Sequence, residues 1–146
     1  MAQTKISGSL ECASPAFHQM MGVGDRAGHT MALSQRECLW PQPLKIEGAI
    51  SKEDVLYLFT DAREDGARET AYNTVVMSNG DRIFMHYAGF LKSDSRKPAS
   101  GVGTFALSGG TGKFQGIYGN GTSVSHSAAD GKMTVRLEGQ YTLPRF

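Results

Sequence analysis

Apolar and polar residues alternate with a period of two in short stretches over most of the chain, and few stretches carry a helical period. In residues 5–13, Ile6, Leu10 and Cys12 fall on one side and Lys5, Ser7, Ser9 and Glu11 on the other. A loop containing Pro15, Gly22, Gly24 and Gly28 follows. Residues 29–40 read as a second strand, stopped by Pro41 and Pro43, which cannot donate to a ladder. Residues 45–50 form a short strand or corner, and residues 55–62 a further strand. The local rival is a helix over 51–68, because Ser51-x-x-Asp54 imitates a capping box. Residues 69–77 and 82–91 flank Asn79-Gly80, which predicts a type I′ hairpin. Strands at 102–108 and 116–127 follow, then Asp130-Gly131 as a hairpin turn, then a last strand over 132–143.

About eight strands with short links and one apolar face suit a barrel or a sandwich. Closure removes exposed sheet edges, which favours a single antiparallel barrel of roughly eight strands spanning residues 1–146 as one all-β domain. The chain shows no internal repeat, low-complexity segment or dividing linker.

Composition narrows the function classes. Hydrophobic content of 40% and charged content of 20% are those of an ordinary globular domain. A net charge of +1, with both signs dispersed, gives no electrostatic case for nucleic acid or an anionic membrane as partner. No apolar run approaches the ~20 residues that span a bilayer. A soluble protein is expected, cytoplasmic as the sequence begins, or secreted or periplasmic if a signal peptide preceded it. If the first two strands pair as neighbours, Cys12 and Cys38 lie at opposite ends of the pair, so no bridge between them is expected. Neither a zinc site nor any other metal site has support in the spacing of Cys and His.

Nine of the 18 glycines lie between Gly101 and Gly131. Gly112-Lys113 invites a phosphate-loop reading, but Leu107 stands where that motif needs glycine and Phe114 where it needs Ser or Thr. Gly22-x-Gly24-x-x-Ala27 and Gly101-x-Gly103-x-x-Ala106 match a dinucleotide fingerprint without its strand–helix setting. Turns and bulges account for these glycines better. Asn120-Gly121-Thr122 has the form of a glycosylation acceptor.

The run from Gly103 to Gly116, with Gly110-Thr111-Gly112-Lys113-Phe114-Gln115-Gly116 at its centre, resembles the glycine-rich hairpin of dirigent and allene oxide cyclase-like proteins. Cys38-Leu39-Trp40-Pro41 is also similar to an element of small bacterial proteins. The resemblance covers about the last third of the chain. It implies a calycin-like eight-stranded barrel with a cavity, assembled as a homodimer or homotrimer. It also implies a hydrophobic or phenolic small molecule as ligand, and isomerisation, cyclisation or a lyase step without a cofactor.

Candidate residues follow from which faces line such a cavity. Arg82, Phe84, His86 and Phe90 share one face of their strand, and Ile83, Met85 and Tyr87 the other. If the first face points inward, it mixes aromatic walls with ionisable groups, as ligand cavities do; if outward, it is solvated surface. A register slip of one residue exchanges the two. Arg136 and Glu138 pose the same alternative opposite Met133, Val135 and Leu137. Glu37 and Glu47, with His86, are the candidate acid–base groups, since burial raises a carboxyl pKa toward a useful range. Trp40 reads as a barrel plug or a stacking surface, and Tyr72 and Tyr87 as phenolic donors. With no complete catalytic set present, a non-catalytic module recognising a protein or a glycan is the alternative.

Overall fold

The computed structural model describes residues 3–94 and 97–144, the side chains at 93, 94, 97 and 98 excepted. Ten strands form one antiparallel sheet: β1 (Thr4–Cys12), β2 (Phe17–Gly22), β3 (Thr30–Gln42), β4 (Lys45–Ile46), β5 (Ala49–Arg63), β6 (Gly66–Met77), β7 (Arg82–Asp94), β8 (Lys97–Gly110), β9 (Tyr118–Ser127) and β10 (Met133–Thr142). The order β1-β10-β9-β8-β7-β6-β5-β3 returns to β1, so eight strands close a barrel. β2 and β4 lie outside that ring at the two ends of the sheet. The sequence expectation of a closed antiparallel barrel holds.

Several local expectations change. Residues 51–68 form no helix; Leu56 and Leu58 point inward on the long strand β5, where Ser51 pairs with Met77 instead of capping a turn. The loop expected after residue 13 contains β2, whose six residues carry no β-branched side chain and so lack the usual strand signal. The Asn79-Gly80 turn is not type I′. Only Gly80 has positive φ, Gly80 N–H donates to Met77 C=O, and Met77 N–H donates to Asp81 C=O. This is a three-residue loop with glycine at the left-handed position. The two-residue turn with both φ values positive occurs elsewhere, at Glu47-Gly48 between β4 and β5.

The cysteines also differ from expectation. Cys12 and Cys38 sit directly opposite in the β1–β3 register, with Cα atoms 4.0 Å apart, and form a disulfide. The extended strand that bypasses the 13–16 corner explains the difference. β2, not β1, pairs with the first half of β3, so β1 meets its second half and brings Cys12 level with Cys38. Both sulfur-bearing side chains face the barrel interior and are fully covered.

One end of the barrel is sealed. Thr111 to Gln115 wraps into a 3-10 turn that drives Phe114 into the interior beside Leu44, Ile46 and Ile117. Gly112 is required there, since its φ is +56° and a Cβ would overlap the Asp81 carboxylate, which accepts the Lys113 N–H. Farther along the wall, a Cβ on Gly121 would overlap the Glu138 carbonyl and the Phe105 ring. The glycine-rich segment thus lets strands curve tightly and lets Phe105 lie on bare backbone.

The β1–β3 seam is the shortest in the ring: Ser9 pairs with Gln42, Glu11 with Leu39 and Cys12 with Cys38, with a bulge between. Replacing both cysteines by serine should therefore lower unfolding free energy by roughly 3–4 kcal/mol, the chain-entropy value for a loop of this length. Denaturant titration of the oxidised protein and the double variant measures it. Equal midpoints would show that the disulfide does not hold the seam.

Candidate functional site

The barrel interior changes character with distance from the Phe114 plug. In the half away from it, the inward positions of β7, β8 and β9 are Gly89, Gly101, Gly103, Ser123 and Ser125. Of these, Gly89, Ser123 and Ser125 face Leu10, Leu56, Leu58, Met133 and Val135 across a cavity of about 60 Å³. That holds a few waters, and it is smaller than the roughly 150 Å³ in which benzene has been seen to bind. Its walls are mostly apolar, and Glu69, Tyr87, Ser123 and Ser125 are the lining residues that carry polar groups.

Behind Tyr87 lies a buried polar group of side chains. Asn73 Nδ2 donates to Asp54 Oδ2 at 2.9 Å and to the Tyr87 hydroxyl at 3.3 Å, and that hydroxyl donates to Met85 Sδ at 3.9 Å. All three occupy inward positions on adjacent strands β5, β6 and β7. The Trp40 indole N–H is directed at the Asp54 carboxyl but falls short of a regular hydrogen bond. Asp54 is 3% exposed, and burial raises its pKa to about 7 against the opposing hydrogen bond from Asn73. Asp54 Oδ1 and Asn73 Oδ1 both lack a donor. A proton on Asp54 removes the charge that burial penalises and turns the carboxyl into a donor as well as an acceptor. Burial, and then the Asp54 charge, push the Tyr87 phenol far above its ordinary range. Tyr87 is accordingly a neutral hydrogen-bond donor at any physiological pH.

Glu69 stands on the cavity wall. Burial raises its pKa, opposed by the Arg36 guanidinium and a hydrogen bond from Thr60. Arg36 points inward from β3, and its Nη1 donates to Ala13 C=O at 3.0 Å and Gly131 C=O at 2.7 Å. It ties the β1–β2 corner to the β9–β10 turn. Farther out, His29 Nδ1 lies 2.5 Å from Asp25 Oδ1 and Nε2 lies 2.7 Å from Asp61 Oδ1. The hydrogen bonds that His29 donates to Asp25 and Asp61 raise its pKa, and the ring anchors the β2–β3 loop to β5.

The residues singled out from sequence divide sharply. Tyr87 lies inside, and Trp40 is buried near the sealed end; Asp54 and Asn73 connect them. The face of Arg82, Phe84, His86 and Phe90 points outward, because Ile83, Met85 and Tyr87 take the interior. Tyr72 is also outside, where its ring meets His86 at 6.3 Å. Arg136 and Glu138 lie on the outer face of β10, and Glu37 on that of β3. Glu47 occupies the turn at the sealed end, where its carbonyl accepts from Lys113 Nζ and its carboxylate from the Tyr141 hydroxyl. The structure therefore does not bring His86, Glu37 and Glu47 together, and none of the three lines the cavity.

Sequence reading missed Asp54, Asn73, Glu69 and Arg36. The signal was present in strand parity: Asp54 alternates with Leu56 and Leu58, and Glu69 and Asn73 with Ala71 and Val75. Among the described residues, no three His, Cys, Asp or Glu side chains are placed to hold a metal ion. No family model matches the chain, and no curated protein matches it.

The raised Asp54 pKa fixes a pH dependence. Between the ordinary value of 3.8 and about 7, the folded protein holds a proton that the unfolded chain has released. Asp54 thus costs increasing stability as pH rises through that window and a constant amount above it. Asp54→Asn should match the wild type near pH 4 and exceed it near pH 8 by on the order of a few kcal/mol. Chemical denaturation at both pH values measures the gap. A difference that does not change with pH would mean that Asp54 is ionised in the fold.

Proposed function

We propose that the barrel binds a small, largely apolar molecule in the cavity between Leu58 and Met133, with Glu69 and Tyr87 as its polar contacts. One observation carries the reading: an apolar cavity bordered by a carboxyl whose pKa is raised and by a phenol that stays protonated. Those groups suit a cofactor-free isomerisation, cyclisation or lyase step. The Tyr87 O–H turns from Met85 Sδ to a carbonyl or phenolic oxygen of the ligand, while Glu69 moves a proton to or from carbon. Asn73 and Asp54 hold the phenol in place from behind. The volume restricts the ligand to a few heavy atoms, or to a single ring if Met133, an unbranched and adaptable side chain, swings aside. The likeness of residues 103–116 to the dirigent and allene oxide cyclase-like hairpin supports the same reading. The buried disulfide supports an oxidising compartment.

A non-catalytic binding module is the second reading, favoured by aromatic residues on the outer wall: Tyr57, Phe59, Tyr72 and Phe84 are each 39–69% exposed. A thermal-shift series with phenol and small cyclic ketones separates the two. The cavity reading expects at least one compound to raise the melting temperature by a few degrees. Tyr87→Phe and Glu69→Gln should reduce that shift by half or more, and Tyr72→Ala should leave it unchanged. A shift abolished by Tyr72→Ala and kept in the interior variants would move the site to the outer wall. No shift with any compound would count against a small-molecule site.

A further inference from the structure

β2 is an edge strand without the devices that usually protect one. One side of it pairs with β3, and the other side has no partner strand among the described residues. Val23 N–H donates to His29 C=O, so the odd-numbered backbone groups of β2 turn toward β3. The N–H and C=O groups of His18, Met20 and Gly22 then point to the open side. Edge strands are normally blunted by charge, proline or a covering loop. Residues 17–22 contain no proline and no Lys, Arg, Asp or Glu, and all six are exposed.

We propose that β2 pairs antiparallel with β2 of a second copy of this chain, making one sheet continuous across two barrels. The occupant follows from the strand itself. A two-fold axis through Met20, perpendicular to the sheet, sets Met20 opposite Met20 and His18 opposite Gly22, and each pair exchanges two backbone hydrogen bonds. The same six residues thus satisfy each other, and no charge is brought against its like. The flanking face is apolar as well: Phe17, Met21, Met31 and Leu33 lie on its outer side, with Met20 on the inner. These five side chains are 40–72% exposed. Phe17, Met20 and Met21, the three that stand on β2 itself, offer on the order of 350 Å² per copy at ~200 Å² for a large apolar side chain, so with the paired backbones the contact is of the small, reversible kind.

Sedimentation equilibrium of the full chain over a hundredfold concentration range tests the proposal, with Met20→Pro and Met21→Lys as variants. The Met20 N–H has no partner within one copy, so proline there leaves the β2–β3 ladder intact while removing the bond to the second copy. The wild type should show a reversible dimer of twice 15.7 kDa. Each variant should weaken it by about tenfold or more. Amide exchange in the wild type supplies a readout independent of any variant's folding: the His18, Met20 and Gly22 amides should slow as concentration rises. A monomer at every concentration would overturn the proposal and leave the edge to a strand of another protein. So would a dimer indifferent to both substitutions, or amides whose exchange ignores concentration.

Discussion

The barrel depends on closure at the seam between β1 and β3. The other seams carry long registers, whereas this one has three paired positions and a bulge. The Cys12–Cys38 disulfide crosses it from inside, and Arg36 spans the adjacent corner with two hydrogen bonds to backbone carbonyls. Without that closure, the interior is an open curved sheet exposed to water. With it, Asp54, Asn73, Tyr87 and Glu69 are taken out of solvent together. Their shifted proton affinities are consequences of the seam, since burial is the largest cause for each titrating member.

The two halves of the interior express different uses of small residues. Near the plug, glycine removes side chains so that backbone and aromatic ring can touch, as Phe105 does on Gly121, and the packing is dense. In the other half, glycine and serine face leucine and methionine across a gap that nothing fills. A Cβ at Gly89, Gly101 or Gly103 would overlap a carbonyl of the neighbouring strand, so larger side chains could enter the gap from β9 only at Ser123 and Ser125, while the carboxyls buried at Asp54 and Glu69 cost stability. The retained void and the retained carboxyls lie on the same side of the barrel.

Much of the architecture was legible in sequence because a period of two survives in most strands and the turn residues sit at regular spacing. β2 was hidden because Phe17–Gly22 lacks β-branched residues and both of its faces are exposed, so no alternation marks it. That one missing strand displaced the pairing of β1 and concealed the disulfide. The inward face of β7 was undetermined because Phe84 and Phe90 are as apolar as Ile83 and Met85, and only closure of the ring decides between them. Asp54 and Glu69 were legible in principle from parity. A capping-box reading claimed the first, and the second stood beside a charged turn. The glycine-rich run pointed to an architecture but not to the chemistry, because Phe114 and Phe105 use it for packing.

Six of the seven methionines offer the most direct test of the interior site, because they report separate regions: Met133 lines the cavity, Met77 and Met85 lie in the core, and Met20, Met21 and Met31 lie on the β2 face. Methyl NMR of ε-13C-methionine protein, titrated with phenol, would show where a small aromatic molecule goes. The account predicts saturable shifts at Met133, with those of Met20, Met21 and Met31 unmoved. Shifts confined to the exposed methionines, with Met133 unchanged at saturation, would contradict it.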